Sequence, residues 1–352
     1  MKYLLLPFAL LYGAIIAIRN YLYDKNIQKS FSYDMPVIGI GNLSAGGTGK
    51  TPMAEYVLQL CASHNYKTVL LSRGYGRHTK GFIMADETAT ALSIGDEPFQ
   101  VFRKLPQVHV AVCEDRLDGI RNILAELPET QVIVLDDCYQ HRSLKPSFMV
   151  LLTDYNEPYY KDFLLPVGML REWASGRRRA DTIIMTKCPE TIDKAPLVKK
   201  LKPLPNQKVS FTGIANGDLI NFKTGLADLP SKDLSAYSVL LFSGIANPKP
   251  LEEYLKSHAK DIISLDFGDH HRYTAGNIQK ITNAFKGITT ENKIVITTEK
   301  DASRLAGTKE AEMLSSLPLY YLPIKVRWNE KEKTEFDMLI LDNLAHFLPL
   351  SA

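Results

Sequence analysis

The segment GNLSAGGTGKTP (41–52) carries the residue types that bind nucleotide phosphates. An apolar run typical of a β-strand precedes it, and a helical pattern begins near Met53. In such a turn, backbone N–H groups and the positive helix end face an anion, the lysine reaches the β- and γ-phosphates, and the threonine hydroxyl binds magnesium. The sequence therefore predicts a nucleoside triphosphate site at Ser44, Ala45, Gly46, Gly47, Thr48, Gly49, Lys50 and Thr51.

The match to the pattern G-x-x-x-x-G-K-[ST] has one departure, because Ser44 stands where the pattern has glycine. Gly46 and Gly47 can supply the sharp backbone turn instead. A chance glycine-rich turn is the alternative, which the strand, loop and helix context disfavours. The guanine-reading N/T-K-x-D motif lacks its aspartate in the comparable segment 186–189, Thr-Lys-Cys-Pro, so we expect ATP rather than GTP.

Two adjacent carboxylates follow the aliphatic run 132–135. A phosphate loop needs an acid at the end of a neighbouring strand to orient Mg²⁺, a hard cation that takes oxygen ligands and keeps several waters. The sequence therefore predicts a magnesium site at Thr51, Asp136 and Asp137. The alternative is that the acidic pair caps the next helix.

Other polar clusters also lie where predicted strands end. Ligands of open α/β sheets bind outside the carboxyl ends of the strands, so these clusters are candidates for the substrate site. Asp269, His270 and His271 could form a metal site, but adjacent histidines point apart on most backbones, which favours one functional imidazole. The remaining clusters are 73–77, 95–98, 114–116, 137–142 and 170–173.

The elements that position these residues follow an alternating pattern of apolar β-rich runs and helical stretches. Runs that are apolar on both faces and separated by long connections indicate a parallel sheet covered by helices. We predict an α/β fold with a P-loop NTPase-type α/β/α sandwich and a second, smaller α/β/α domain joined by a β-ribbon linker. The predicted limits are 26–207 for the first domain, 208–215 and 319–328 for the ribbon, 236–318 for the second domain, and 329–352 for a segment returning to the first.

The N-terminus is the one compositional anomaly. Residues 3–18 contain no charge, and as a helix these sixteen residues extend about 24 Å, less than the ~30 Å hydrocarbon core, so a spanning helix is marginal. A single lysine precedes them and no clear cleavage site follows, which disfavours a signal peptide. We expect residues 1–25 to form a helix lying in the membrane surface. A buried core helix is the alternative.

The composition of the chain limits the classes of protein and partner that are possible. The chain of 352 residues is long enough for about two domains, and 45% hydrophobic with 23% charged residues is typical of a globular protein. A net charge of +3 does not indicate a nucleic-acid partner. The four cysteines form no C-x-x-C pair, which argues against a zinc ribbon and indicates reduced thiols in the cytosol.

Taken in order, the motifs resemble those of the tetraacyldisaccharide 4′-kinase family, the lipid A 4′-kinases. The resemblance covers about residues 1–305 and rests on GNLSAGGTGKTP, LSRGYGR, GDEP, VCEDR, DDCYQHR, LLPVGMLREW, LFSGIANP and FGDHHRY. Where the family usually has DDGFQHR, this chain has Cys138 and Tyr139. Cys138 replaces the glycine of this motif, so the feature that the substitution affects is the backbone geometry after Asp137.

The resemblance implies ATP- and Mg²⁺-dependent phosphorylation of the 4′-hydroxyl of an acylated glucosamine disaccharide 1-phosphate, giving the 1,4′-bisphosphate (lipid IVA). It implies a monomeric enzyme, without a nucleic-acid partner, held peripherally by its N-terminal helix on the cytoplasmic face of the bacterial inner membrane. It makes Asp96 the base and His270 its partner, with Lys50 and Arg171 supplying positive charge. The residues expected around the sugar or phosphates are Tyr75, Arg116, Gln140, His141 and Glu172.

Two other function classes remain at this point. A P-loop ATPase or metallochaperone-type switch would hydrolyse ATP without a lipid acceptor. A non-enzymatic membrane tether would need none of the polar clusters at the strand ends.

Overall fold

The computed structural model of the chain describes residues 2–348, and the side chains of residues 4–348. Its first half contains an eight-stranded sheet. The strands are β1 (Val37–Asn42), β2 (Thr68–Ser72), β3 (Ile83–Met84), β4 (His109–Val112), β5 (Val132–Leu135), β6 (Phe148–Asp154), β7 (Thr182–Thr186) and β8 (Lys208–Phe211). Their order is β3-β4-β2-β5-β1-β6-β7-β8, and every neighbouring pair is parallel except β3 with β4.

Helices cover both faces of this sheet because its strands are apolar on both sides. They are α1 (Leu6–Asp24), α2 (Lys50–Ser63), α3 (Ala91–Ile94), α4 (Asp96–Lys104), α5 (Arg116–Glu126) and α6 (Lys194–Leu201), with 3-10 segments at Lys2–Leu5, Tyr159–Lys161 and Ala174–Arg179. One face packs against α2 and α4. The opposite face packs against α1, α5 and α6.

The second half forms a six-stranded sheet and a two-stranded ribbon. Its elements are β9 (Gly213–Asn216), β10 (Leu219–Asn221), β11 (Ala227–Leu229), β12 (Leu234–Ser243), α7 (Lys249–His258), β13 (Ala259–Asp266), α8 (Ala275–Gly287), β14 (Lys293–Thr298), α9 (Glu299–Leu305), α10 (Lys309–Leu314), β15 (Leu319–Leu322), β16 (Ile324–Arg327) and α11 (Glu330–Phe347). The sheet order is β11-β10-β15-β14-β12-β13, with apolar clusters on both faces. The chain therefore has the α/β architecture that its sequence predicts.

The ribbon is shorter than the segments predicted for it. β9 pairs antiparallel with β16, whereas β8 joins the large sheet and β15 joins the small one. Phe211 of β8 and Leu319 of β15 are buried in the two separate cores. Burial of these side chains draws the outer parts of both segments into the sheets and leaves only four residues of each strand for the ribbon.

After the ribbon, α11 returns to the large sheet. Its Phe336, Ile340 and Leu344 are fully buried in the same cluster as α2. The hydroxyl of Tyr56 on α2 donates a 2.6 Å hydrogen bond to Asp337. Residues 349–352 of the predicted returning segment, and Met1 of the predicted N-terminal helix, lie outside the described residues.

A buried charge cluster joins α9 of the small sheet to α2 and α4 of the large one. Lys104 donates to Glu55 at 2.8 Å and to Glu299 at 2.9 Å, and Gln100 donates to the same two carboxylates at 2.8 and 3.3 Å. Burial raises the pKa of Glu299 from its usual 4.5 to about 7, against the opposing charge of Lys104. Burial therefore disfavours the charged form of Glu299 at the contact between the two halves.

We expect the contribution of Glu299 to the stability of the folded chain to fall between pH 4.5 and about 7. In this window the folded state keeps a proton on Glu299 that the unfolded chain has released, so the free energy of unfolding decreases as the pH rises. In Glu299→Gln this decrease becomes smaller. Denaturant unfolding at pH 5 and pH 8 measures the difference, with Glu312→Gln on the exposed surface as the control. A pH dependence that is equal in wild type and Glu299→Gln would contradict the prediction.

Candidate active site

The glycine-rich loop connects β1 to α2, and its sharp turns fall at two glycines. Gly46 has φ of 120° and Gly49 has φ of 84°, both in the left-handed range that favours glycine. Gly47, which was expected to share the turn, lies outside that range. Ser44 also lies outside it and forms an isolated β-bridge with Leu170, so the loop does not require glycine where the strict pattern has one.

Two side chains at the ends of separate strands, β1 and β7, hold this loop. Asn42 at the end of β1 donates a 2.8 Å hydrogen bond to the hydroxyl of Thr48, and Thr186 at the end of β7 donates at 2.9 Å to the Thr48 carbonyl. Lys50 and Thr51 then form the first turn of α2. The loop is thus ordered with the helix N-terminus behind it, which is the arrangement that binds an anion.

Asp137 is the meeting point of the positive side chains beside the loop. Arg171 Nη1 donates to both its carboxylate oxygens, at 2.9 and 3.0 Å, and Lys50 Nζ lies 3.7 Å from Oδ1. Burial would raise the pKa of Asp137, but Lys50 and Arg171 together outweigh burial and lower it. Lys50, Arg171 and Asp137, which the sequence places in three separate motifs, therefore form one cluster.

The adjacent Asp136 is buried and incompletely hydrogen-bonded. Its Oδ2 accepts from the hydroxyl of Ser72 at 3.5 Å, and its Oδ1 has no partner among residues 2–348. Burial raises the pKa of Asp136 to about 6, and the neighbouring Asp137 adds to the effect. An unpartnered carboxylate oxygen next to a second carboxylate provides oxygen donors that suit a hard divalent cation.

Asp96 and His270, from the two halves of the chain, lie in contact. Asp96 begins α4, and its Oδ2 is 3.3 Å from His270 Nδ1. His270 has φ of 52°, and its ring lies 5.8 Å from the ring of the exposed Tyr75. A third group, Arg304 of α9, donates from Nε to the same Asp96 oxygen at 2.7 Å.

Glu172 lies inside the protein rather than at the open surface of the site. It is 1% exposed and accepts hydrogen bonds from Asn20, Gln140 and Arg179 at 3.0, 3.0 and 2.7 Å. These partners belong to α1, to the loop after β5 and to the 3-10 segment Ala174–Arg179. A direct contact of Glu172 or Gln140 with a substrate stays a prediction.

Arg116 and His141 are also drawn inward. Arg116 is 1% exposed and donates to the carbonyls of Cys113, Glu114 and Asp136 at 2.7, 3.3 and 3.4 Å. Burial, together with the nearby charges of Arg116 and Arg73, lowers the pKa of His141 to about 4, so its imidazole is neutral at pH 7. These two residues support the loop that carries Asp136 and Asp137, and their predicted substrate contacts stay predictions.

The N-terminal helix α1 packs directly on the loops of the site. The Tyr12 hydroxyl donates to the carbonyl of Arg171 at 2.7 Å, and Arg19 donates to the carbonyl of Gln140. Trp173 Nε1 donates to the carbonyl of Gly13 at 3.0 Å. One face of α1 is therefore part of the support of the site, while most of its apolar side chains remain exposed.

The substitution of Cys138 and Tyr139 in the DDCYQHR motif is accommodated by β1. The positive φ in this loop belongs to Asp137, at 46°, and Cys138 lies outside the left-handed range, so its position does not require glycine. A Cβ added at Gly39 would lie 2.9 Å from the Cys138 sulfur, and one added at Gly41 would lie 2.7 Å from Tyr139 Cβ. Glycines in the strand provide the space that the larger loop residues occupy.

The alternative of a metal site at residues 269–271 finds no support in the geometry. His271 Nε2 lies 3.0 Å from Asn277 Oδ1, which belongs to the capping box of α8, while His270 turns to Asp96. Within residues 2–348, no group of three His, Cys, Asp or Glu side chains is arranged to hold a metal. The two adjacent histidines thus have separate partners.

A family model described as Tetraacyldisaccharide-1-P 4′-kinase (LpxK) matches residues 1–345. The chain belongs to this family. The chain is 44% identical over 344 residues to the tetraacyldisaccharide 4′-kinase of Flavobacterium johnsoniae, covering 97% of this chain and 96% of the relative. It is 44% identical over 351 residues to the enzyme of the same name from Parabacteroides distasonis, covering 97% and 94% of the two chains.

A crystal structure of LpxK from Aquifex aeolicus in complex with ATP is similar to this structure, with a TM-score of 0.76 and 30% identity over 97% of this chain and 99% of that one. The predicted fold class, family and kinase activity are confirmed by these comparisons. The alternative of an ATPase or metallochaperone-type switch without an acceptor is not supported, because the family is named for a phosphate acceptor.

Sequence reasoning missed Arg304, which contacts Asp96, and Asp301, which contacts Arg304 at 2.9 Å. The available signal was the run Thr298–Asp301, which follows an apolar strand as the other motifs do, with Arg304 one helical turn later. Local spacing indicates the Asp301–Arg304 pair. It does not indicate that this pair meets a carboxylate 208 positions away.

We expect Glu172→Ala to lower the free energy of unfolding by about 3–5 kcal/mol, because it removes a fully buried carboxylate and leaves the partly buried Arg179 without its partner. Chemical denaturation measures the change. Tyr75→Ala, at a predicted substrate residue that is 70% exposed, is the control and should stay within about 0.5 kcal/mol of wild type. A Glu172→Ala protein as stable as wild type would contradict the supporting role of this network.

Proposed function

We propose that this member of the tetraacyldisaccharide 4′-kinase family transfers the γ-phosphate of ATP to the 4′-hydroxyl of tetraacyldisaccharide 1-phosphate, giving the 1,4′-bisphosphate (lipid IVA) of lipid A biosynthesis. The observation that carries the proposal is the contact of Asp96 with His270, 174 positions apart, at the end of the sheets where the phosphate loop lies. A nucleotide hydrolase needs no such base for an acceptor hydroxyl. A kinase does.

In this proposal the ATP phosphates lie on the backbone N–H groups of residues 44–51. Lys50 and Arg171 neutralise the charge that develops during transfer, because phosphoryl transfer depends on positioning and electrostatic stabilisation more than on covalent chemistry. Both side chains already converge on Asp137 beside the loop. Binding of ATP by the related enzyme from Aquifex aeolicus supports this assignment.

Thr51, Asp136 and Asp137 would hold Mg²⁺. The fit rests on the buried, unpartnered Oδ1 of Asp136 and on the raised pKa, about 6, that this carboxylate has without a cation. When bound, the ion neutralises phosphate charge. The residues themselves orient the loop after β5 so that both carboxylates lie next to Lys50.

Asp96 would accept the proton of the 4′-hydroxyl, with His270 as its hydrogen-bonding partner. Tyr75 is exposed beside His270 and would contact the sugar. Gln140, His141, Arg116 and Glu172 would act on the disaccharide phosphate mainly by fixing the loop that carries Asp136 and Asp137. Their buried positions and contacts within the protein support this division of roles.

The proposed location is the cytoplasmic face of the bacterial inner membrane, where a monomer would bind peripherally without a nucleic-acid partner. α1 is long and apolar enough to cross a membrane by length and composition, and 11% of it is buried. One side of the helix packs on the protein through Ala9 and Gly13, and the other exposes Phe8, Leu11 and Ile15. An apolar face open to the outside on a docked helix supports binding in the plane of the membrane.

We also propose two folding units centred on the predicted segments 26–207 and 236–318, with β8 added to the first and β10, β11, the start of β12 and β15 added to the second. The separate apolar clusters of the two sheets support this division. Both sheets then contribute residues to one site through the contact of α4 with α9.

The function is tested by transfer of labelled γ-phosphate from ATP to the purified disaccharide 1-phosphate in detergent. We expect transfer by wild type and a loss of about 10²–10³-fold in kcat for Lys50→Ala and for Asp137→Asn, because each removes a group that stabilises phosphate charge. Higher Mg²⁺ concentration should restore part of the activity of Asp137→Asn and none of that of Lys50→Ala.

ATP consumption without the disaccharide is measured in parallel. Consumption at the same rate with and without the acceptor would overturn the proposed function. Equal rescue of both variants by Mg²⁺ would contradict the separate roles of Lys50 and Asp137.

We expect the triple variant Phe8→Gln, Leu11→Gln, Ile15→Gln to move from the membrane fraction to the soluble fraction and to retain activity on substrate in detergent. Membrane affinity follows the buried apolar area, which these substitutions remove without touching the docked face. Gly13→Leu is the matched variant. Its Cβ would clash with Leu164 Cδ1, so this variant should lose activity and stay on membranes. A triple variant that sediments with membranes as wild type does would contradict the anchor.

A further inference from the structure

The segment Thr298–Asp301 has no role in the reaction proposed above. It spans the end of β14 and the first turn of α9, and α9 lies against α4, the helix that begins with Asp96. One turn further along α9, Arg304 points to the same place. Its side chain is 6% exposed, so its contacts are made inside the protein.

The guanidinium of Arg304 contacts four groups. Nε donates to Asp96 Oδ2 at 2.7 Å, and Nη1 donates to Asp301 Oδ1 at 2.9 Å and to the carbonyl of Gly244 at 2.6 Å. Nη2 lies 3.3 Å from His270 Nδ1. Because the guanidinium is planar and its donors form a rigid fork, these contacts fix its plane as well as its position.

Asp301 holds Arg304 from behind. It is fully buried, and its Oδ2 accepts from the hydroxyl of Thr298 at 2.7 Å and from the amide of Gly244 at 2.9 Å. Burial alone would lower the pKa of Arg304, but the carboxylates of Asp96 and Asp301 outweigh burial and raise it. Arg304 is therefore a permanently charged group in a fixed place.

The consequence for Asp96 is an asymmetric carboxylate. Oδ2 contacts both Arg304 and His270, whereas Oδ1 accepts no hydrogen bond from any residue that the structure describes. His270 Nδ1 lies 3.3 Å from an acceptor, Asp96, and from a donor, Arg304, and one ring nitrogen serves only one of them at a time. Arg304 is the partner of Asp96 that does not depend on the tautomer of His270.

We propose that Arg304 is a positioning residue for the phosphate transfer: it holds Asp96 by Oδ2 so that Oδ1 is directed to the acceptor hydroxyl, and Thr298 and Asp301 serve to hold Arg304. The inference rests on the proposed function, in which Asp96 is the base. It assigns a role in the reaction to a motif of the second half of the chain, and it makes correct docking of α9 on α4 a condition for a competent base.

The competing explanation is that Arg304 only helps α9 to dock on α4. The chain offers a matched control for this explanation. Lys300, on the same helix, makes a 2.7 Å ion pair with Glu97, the neighbour of Asp96 on α4. Lys300→Ala removes a charge pair between the same two helices without touching Asp96. A purely structural contribution of α9 would be weakened by both substitutions.

The experiment compares Arg304→Ala, Arg304→Lys, Asp96→Asn, the double variant Asp96→Asn/Arg304→Ala and Lys300→Ala in the phosphate-transfer assay, with ATP affinity and unfolding measured on each protein. We expect Arg304→Ala to lose about 10²-fold in kcat, the cost of a misplaced catalytic group, with KM for ATP within about twofold of wild type. Arg304→Lys should recover part of the loss, because it restores the charge without the fork. Lys300→Ala should stay within about threefold of wild type.

The double variant should be no slower than Asp96→Asn, because a positioning residue has no effect once the group it positions is gone. Losses that multiply, or a loss in Lys300→Ala equal to that in Arg304→Ala, would overturn the inference. If Arg304→Ala does not fold, the test is made on Arg304→Lys. A kcat equal to that of wild type in Arg304→Lys would then overturn the inference. Failure of the proposed function is distinguishable, because wild type would then transfer no phosphate to the disaccharide, and the inference would fall with it.

Discussion

The carboxyl ends of parallel strands must all lie at one edge of their sheet, and the site of this protein depends on that constraint. In the large sheet the edge brings together the glycine-rich loop after β1, the Tyr75 loop after β2 and the two acids after β5. The small sheet has its own carboxyl edge, where Gly244 and His270 follow β12 and β13 and Thr298 ends β14. Contact between α4 and α9 turns these two edges toward each other, so residues that are distant in sequence meet around Asp96.

Charge compensation then fixes the positions within this junction. Three acidic residues each form an ion pair with an arginine of another segment: Asp137 with Arg171, Glu172 with Arg179, and Asp96 with Arg304. An unpaired charge in a partly dry site costs several kcal/mol, so each pair also determines where its two segments lie. Asp136 is the exception: within residues 2–348 it forms no ion pair, and one of its oxygens is buried without a partner, so a bound cation would supply the charge that it lacks. The electrostatic pattern therefore separates the groups that support the site from the group that is open to a ligand.

The features of the fold and site that depend on neighbouring residues could be predicted from local sequence patterns. The glycine-rich loop, the acids after β5 and the alternation of strands and helices all follow from neighbouring residues. Burial of Arg116 and Glu172 could not be predicted in this way, because polar residues at strand ends are solvated unless distant segments cover them, as α1 covers Glu172 through Asn20. The role of Arg304 was not predicted, for the same reason. The ribbon was predicted too long because its outer residues are drawn into two cores. Long-range packing decides these features.

The docking of α1 has a practical consequence for inhibitor discovery. An apolar N-terminal helix is often deleted to obtain a more soluble protein for screening or crystallisation. Here that deletion would also remove Tyr12, Gly13 and Asn20, whose hydrogen bonds hold the Arg171 carbonyl, Trp173 and Glu172. Compounds selected against such a shortened protein would be optimised for a site whose supporting helix is missing. A version that keeps the helix and replaces only its exposed side chains would present ligands with the intact site.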